Sequence, residues 1–239
     1  MIWKDWARKI LWTLHLDVTR NLRYDRLTWK VMQSHLHSDS NAIDVGSHKG
    51  EVLDWILAFA PKGRHWAFEP LPHLAAGLRE HYGNRVSVVE AALSHSSGST
   101  TFQFVKGSPA YSGILKREYA TAHPQIEELH VAMSTLDEQV RGCKIDLIKV
   151  DVEGGEWGVL AGGASLIQRD RPLIIFEFGK GASEYYGTTP EKMWQLLSGW
   201  GYALYDIKSY VKKEAPLTEA LLSLVFRTGS EYYFVAVSK

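Results

Sequence analysis

Two short stretches of the 239-residue chain combine charge and glycine in a way that folding alone does not demand. The first is Ile43-Asp44-Val45-Gly46-Ser47-His48-Lys49-Gly50, in which an acid precedes two glycines four positions apart. Gly46 permits a sharp backbone turn and lets a ligand approach without meeting a Cβ, while Gly50 permits close helix packing. The dinucleotide pattern G-x-G-x-x-G is different, because it aims a helix dipole at a pyrophosphate. Here Asp44 would repel a phosphate and attract a cation, such as the amino group of a methionine moiety. Nineteen residues beyond Gly50 stands Glu69, and an acid at the end of a second strand can take both hydroxyls of a ribose. Acid, glycine turn and second acid together describe a pocket for S-adenosylmethionine. The glycine turn alone would not, since many strand-to-helix turns need glycine for structural reasons.

The second stretch is Ile148-Lys149-Val150-Asp151-Val152-Glu153-Gly154-Gly155-Glu156-Trp157. Period-2 alternation puts Lys149 and Asp151 on one side of a strand, with Glu153 following as the chain leaves the sheet. A strand of mostly β-branched residues does not need three charges at its end to fold. A purely structural reading is an ion pair between Lys149 and Asp151, with Glu153 or Glu156 at a helix N-terminus, and for Glu156 it is preferred. For Asp151 a ligand role is preferred, because it ends a central strand beside the first one, where ligands sit in open α/β sheets. Glu177, inside the apolar run Ile174 to Phe178, must be paired or face that cleft. With Asp151 it could offer hard oxygen ligands to magnesium or manganese, although no H-x-x-x-H spacing accompanies the pair. His48 in the glycine turn, His130 in an alternating stretch, and Tyr111 with Ser112 are weaker candidates for substrate contact.

These residues need a scaffold that ends several strands at one edge. From Asn41 onward short apolar strands alternate with helices, the pattern of a parallel sheet covered on both faces. The strands expected are Ala42 to Val45, His65 to Glu69, Val86 to Val89, Ile145 to Val150, Leu173 to Phe178, Tyr202 to Ile207 and Tyr232 to Val237. Helices are expected over Glu51 to Ala60, from Pro72 to just before Gly83, between Gly155 and Gly162, and from Pro190 to near Gly199. Ser99 to Val105 alternates like an antiparallel or edge strand, and Thr135 with Glu138 forms a capping box. Residues 106–133 carry the weakest signal and are read as a cap over the strand ends. Residues 1–38 are read as a helical extension and 39–239 as a single domain.

Composition narrows the function classes. Lys plus Arg equal Asp plus Glu at 27 each, so no general field draws the protein to nucleic acid or anionic lipid. Cys143 is the single cysteine, which excludes an internal disulfide and a multi-cysteine metal site and suits a cytoplasmic setting. No window approaches the roughly 18 to 20 apolar residues that would span a bilayer. Near the N-terminus, Trp3, Trp6, Ile10 and Leu14 recur at helical spacing opposite Lys4, Arg8 and Lys9. That amphipathic stretch suits packing on its own domain or on a second copy of the chain, with membrane-surface contact as the alternative.

Five segments together resemble the FkbM-type S-adenosylmethionine-dependent methyltransferases: A-I-D-V-G-S-H-K-G at Ala42 to Gly50, A-F-E-P at Ala67 to Pro70, A-L-S at Ala92 to Ser94, S-T-L-D-E at Ser134 to Glu138, and I-K-V-D-V-E-G-G-E at Ile148 to Glu156. The last is far more specific than a glycine loop. The resemblance implies a Rossmann-like class I methyltransferase, an α/β fold with a mostly parallel seven-stranded sheet, its last strand antiparallel, and helices on both faces. It also implies transfer of methyl to a hydroxyl oxygen. Residue by residue, it implies that Asp44, Gly46, Ser47 and Gly50 line the methionine end, that Glu69 beside Pro70 holds the ribose, and that Glu90, Ala91 and Ala92 lie near the adenine.

Within that reading Asp151, also beside the cofactor, orients or deprotonates the acceptor hydroxyl, and Lys149 or a divalent cation stabilises the alkoxide. The acceptor expected is a small molecule, a sugar or a natural product. The competing reading is a non-catalytic S-adenosylmethionine-binding partner in a biosynthetic assembly, against which the intact acids Asp44, Glu69 and Asp151 argue. Deleting residues 1–16 is expected to change solubility or oligomeric state while sparing a cofactor site that begins at Asp44. Light scattering and cofactor titration of the truncated protein check both halves, and an unchanged soluble monomer would refute the first.

Overall fold

The computed structural model describes residues 20–106, 112–116 and 125–239. In chain order the elements are α1 (Arg20–His35), β1 (Ala42–Val45), α2 (Glu51–Phe59), β2 (His65–Phe68), α3 (Pro72–Tyr82), β3 (Ser87–Val89), β4 (Ala92–Leu93), β5 (Gly98–Val105), β6 (Ile126–Ser134), α4 (Leu136–Gln139), β7 (Leu147–Val150), α5 (Glu156–Ala161), α6 (Ala164–Asp170), β8 (Leu173–Glu177), α7 (Pro190–Gly199), β9 (Tyr202–Asp206), α8 (Ile207–Val211), α9 (Glu219–Thr228) and β10 (Tyr233–Ser238).

Seven strands form one sheet in the order β3-β2-β1-β7-β8-β10-β9. Every neighbouring pair is parallel except those of β10, which runs antiparallel to β8 and β9. This is the Rossmann-like α/β sheet with an antiparallel last strand that the resemblance implies. The strand order reverses between β1 and β7, so the loops leaving these two strands part and open a crevice at their C-terminal ends.

Alternation along the strands sends the side chains to two cores. Ile43, Val45, Ile148, Val150 and Phe176 pack with Val159, Ile167, Met193, Leu197 and Leu222 of α5, α6, α7 and α9. Ala42, Ala67, Leu147, Ile175 and Val235 face the other way, onto α1, α2, α3 and α8 through Met32, Leu53, Leu78 and Ile207. Asp44 and Lys149 therefore share a face with Ala42 and Leu147, and the register sets them side by side on β1 and β7. The same register continues one step beyond the strand ends, where Asp151 follows Val150 opposite Phe176, and Glu177 in turn pairs with Tyr233 of β10. One face of the sheet thus carries the charged residues in two adjacent rows.

The structure departs from the expectations at several points. The second half of the expected cap is the strand β6, paired antiparallel with β5 from Gly98↔Met133 to Val105↔Ile126 and flanked by β4 in a small three-stranded sheet. The alternating stretch around His130 is thus a strand, with Leu129 and Val131 packed beneath it while Glu127, Glu128 and His130 are exposed. The capping box is half made: Thr135 accepts from the Glu138 amide at 3.2 Å, but the Glu138 carboxylate takes the hydroxyls of Ser97 and Ser134. Of the expected N-terminal extension, α1 is part of the domain, with Tyr24, Val31 and Met32 in its second core. The amphipathic stretch of residues 1–16 and Tyr111 lie outside the described residues. Ser112 is buried, its hydroxyl accepting from the Val105 amide at 3.0 Å.

Candidate active site

The turn after β1 is built by backbone bonds. The amides of Gly46 and Ser47 both donate to the Phe68 carbonyl, at 3.0 and 3.2 Å, and the Asp151 amide donates to the Val45 carbonyl at 3.0 Å. Gly46 has φ +80°, and a Cβ there would overlap the backbone carbonyl oxygen of Asp151. The left-handed backbone is the sharp turn expected of Gly46, and beside the expected approach of a ligand the closest constraint is the crossing of the β7 loop over the β1 turn. Gly50 permits the close helix packing expected of it, since a Cβ there would overlap the Tyr82 hydroxyl, which sits 2.7 Å from the Gly50 carbonyl oxygen as α3 packs on the turn, but it is not among the residues lining the cleft described below, where the methionine end was expected. Ser47 is buried and donates to the Asp44 carbonyl at 2.9 Å.

Two buried carboxylates clamp the loops. Glu69 accepts from the His48 amide at 2.8 Å and from the Leu71 amide at 3.0 Å, tying the β1 turn to the entry of α3. Burial raises its carboxyl to about 7 against these two bonds. Glu156, at the start of α5, folds back to accept from the amides of Val152 and Gly154 at 3.0 and 3.1 Å. It too is raised to about 7, by burial. Within the loop it holds, Glu153 and Gly154 take left-handed backbone, φ +59° and +109°. The structural role preferred for Glu156 is thus met on its own loop.

Between the clamps lies the charged floor. Lys149 Nζ stands 3.3 Å from Asp151 Oδ2 and 3.7 Å from Asp44 Oδ1. Desolvation pulls the Lys149 ammonium down, but Asp151 and Asp44 overcome it and keep the lysine protonated. Asp44 is fully buried and is pushed upward by desolvation, with Lys149 pulling it back. Asp151 is also desolvated, yet Lys149, Glu177 and Tyr233 bring its carboxyl below the ordinary range. The Tyr233 hydroxyl donates to Asp151 Oδ2 at 2.7 Å.

Above this floor opens a cleft of about 1220 Å³ whose lining includes Gly46 to Lys49, Glu69, Pro70, Ala91, Ala92, Lys149, Asp151, Glu156, Glu177 and Tyr233. Most of the expected residues therefore meet in one place. Asp44 does not line it, and its cation is Lys149 in place of a ligand's amino group. Glu90 does not line it either, being exposed and paired with Arg79 at 2.9 Å. His48 lines the cleft half-buried, with φ +48°, and burial lowers its imidazole. Among the described residues no group of three or more His, Cys, Asp or Glu is placed to hold a metal ion, and Asp151 is engaged by Lys149 and Tyr233. No described helix is long and apolar enough to cross a membrane. The sequence reading missed Tyr24, Tyr232 and Tyr233, which reach the cleft from α1 and the entry of β10.

A model of the methyltransferase FkbM domain matches residues 44–204, more than half of the chain. The chain belongs to the FkbM methyltransferase family. It is 28% identical over 148 residues to the 2-O-methyltransferase NoeI of Sinorhizobium fredii, a match covering 56% of this chain and 61% of that protein. It is also 28% identical over 166 residues to the AMB antimetabolite synthetase AmbE of Pseudomonas aeruginosa, covering 53% of this chain and 8% of AmbE. The chain thus spans less than two thirds of either curated relative. Among solved structures it is similar to an FkbM methyltransferase from Methylobacillus flagellatus, with TM-score 0.48, 14% identity, and coverage of 84% of this chain and 44% of that one. The FkbM family is a methyltransferase family, and membership in it implies S-adenosylmethionine as the methyl donor.

The raised Glu69 carboxyl has a consequence for the ligand-free FkbM protein. A carboxyl whose folded value lies near 7, against an unfolded value near 4.5, adds stability at low pH that is lost as pH rises between the two values. Relative to Glu69→Gln, the wild type should therefore lose about 2 kcal/mol of unfolding free energy between pH 5 and pH 7. Urea unfolding of both proteins at the two pH values measures this; a constant difference would place the Glu69 carboxyl at its ordinary value.

Proposed function

We propose that the protein transfers methyl from S-adenosylmethionine to a hydroxyl oxygen of a small, uncharged acceptor, with Asp151 accepting the hydroxyl proton. The observation that carries this reading is the placement of Asp151 at the cleft floor, charged, fixed by Lys149 and Tyr233, and still exposed over 21% of its side chain. A base must reach the proton it takes, and Asp151 is the member of the buried triad that does. The name of the relative NoeI, a 2-O-methyltransferase, supports oxygen as the acceptor atom.

The residues present fit the donor. S-adenosylmethionine supplies a methyl group carried on a positively charged sulfur. Two carboxylates, Asp44 and Asp151, against one ammonium, Lys149, leave an excess negative charge beneath the turn of Gly46 to Lys49, which favours a cation above it. Glu69 retains acceptor capacity beyond its two backbone bonds for ribose hydroxyls. Ala91 and Ala92 give a small apolar surface on the same side of the cleft, suited to the adenine. We assign Lys149 to holding Asp151 ionised, since its ammonium is already engaged by two carboxylates.

The lining of the cleft as a whole is acidic. Among the described residues eight carboxylate side chains and four Lys or Arg side chains line the whole cleft, which disfavours a phosphorylated or otherwise anionic acceptor. A neutral hydroxyl compound meets no such penalty.

Titration calorimetry should show binding of S-adenosylmethionine to the wild type and none to Gly46→Val, whose side chain would displace the Asp151 carbonyl. Single-turnover methyl transfer against a panel of neutral hydroxyl compounds should then fall about 10²- to 10⁴-fold in Asp151→Asn, with a much smaller fall in donor affinity from the lost charge. Near-normal transfer by Asp151→Asn would remove it as the base, and donor binding without transfer to any acceptor would favour the assembly-partner reading.

A further inference from the structure

Asp151 has a neighbour that the proton-transfer reading leaves without a task. Glu177 ends β8, the strand beside β7, and the register of these strands sets it next to Asp151 at the cleft. The register sets the two carboxyl groups side by side at the cleft, within reach of a hydrogen bond to each other. Such a bond needs a proton, because two carboxylates offer only acceptors. On the other side of Glu177, its register partner Tyr233 sends its hydroxyl to Asp151 Oδ2 at 2.7 Å. The Tyr233 ring is itself held, stacked on Tyr24 of α1 at 5.1 Å between centroids, while the Tyr24 hydroxyl donates to Glu231 at 2.5 Å. Tyr233 and Tyr24 both lie outside residues 44–204.

We propose that Glu177 is a positioning residue that carries a proton and, together with Tyr233, donates a hydrogen bond to the ionised Asp151. The inference rests on the reading of Asp151 as the proton acceptor and names the parts that keep it ready. Two donors and the Lys149 ammonium fix the orientation of the Asp151 carboxylate, and its exposed edge stays open to an acceptor hydroxyl. When Asp151 takes the hydroxyl proton, both carboxyls become neutral, and release of one proton to solvent restores the pair. Burial and the neighbouring Asp151 charge hold the Glu177 carboxyl well above the usual range, in accord with this arrangement.

The test needs no acceptor. Protein labelled with ¹³C at the aspartate carboxyl carbon is titrated by NMR without any cofactor, and the midpoint of Asp151 is assigned by its absence in Asp151→Asn. Besides Lys149, Glu177 and Tyr233, the titratable groups facing Asp151 are Asp44 from β1, His48 from the turn and Glu156 from α5, with Glu153 of the loop facing Glu177 and Asp25 of α1 facing Tyr233, all left in place. Loss of a donor to the charged form should raise the midpoint by about one pH unit in Glu177→Leu and in Tyr233→Phe. Glu177→Gln keeps an N–H donor and should leave it near the wild-type value. Were Glu177 ionised, both Glu177 variants would instead lower the midpoint by removing a like charge, and that result overturns the proposal. Glu177→Gln and Tyr233→Phe keep the native side-chain shape and decide the matter alone should Glu177→Leu fail to fold. Calorimetry with S-adenosylmethionine on the same samples separates the two levels: absent donor binding defeats the methyltransfer reading, whereas the titration judges the carboxyl pair.

Discussion

A lysine buried between two carboxylates sets the terms for everything around it. Lys149 is 5% exposed and Asp44 is not exposed at all, so each would be costly to bury without the other. The pairing follows from strand register: β1 and β7 are parallel neighbours, and Asp44 is the partner of Lys149 across them. A slip of one residue would turn these side chains onto the opposite face, among the aliphatic residues packed on α5 and α6. The ion triad therefore works as a register pin as well as an electrostatic device. It pins the two strands between which the sheet order reverses, and so it pins the crevice itself.

The loops above the triad are shaped by the same economy of buried acids. Glu69 ties the β1 turn to the start of α3, and Glu156 ties the β7 loop to the start of α5, each through two backbone amides. Between them, the carbonyl of Asp151 occupies the space that any side chain at position 46 would need. Methyl transfer requires acceptor, methyl and leaving sulfur to be held in line, and a rigid floor with two clamped loops suits that requirement. Tyr233 adds a third fixed point from a strand that enters the sheet last, linking the site to α1 through Tyr24.

Much of this was legible in the sequence because it depends on local pattern. Strand ends marked by acids, glycine turns and amphipathic helices gave the sheet and brought Gly46, Glu69, Lys149 and Asp151 to one edge. Other features depend on contacts distant in sequence. The reason for glycine at 46 lies in the carbonyl of residue 151, and Asp44 faces inward because its cation is a strand neighbour. Glu90 stands one residue before the cleft lining and turns out to Arg79. The tyrosines of α1 and β10 carry no local signal of a site, since a tyrosine in an amphipathic helix or a strand reads as core. In β6 the alternation around His130 was visible in the sequence, but its pairing with β5 only the fold discloses.

The dependence of the site on the buried triad is tested most directly by a double-mutant cycle of urea unfolding on wild type, Lys149→Met, Asp44→Asn and the double variant. Removing the lysine alone leaves buried carboxylates without their cation and should cost about 3 to 5 kcal/mol. Adding Asp44→Asn should recover at least about 1 kcal/mol of that loss, the non-additivity expected of residues joined in one charge network. Costs that simply add, to within about 0.5 kcal/mol, would mean that Lys149 and Asp44 do not depend on each other, and would contradict the account.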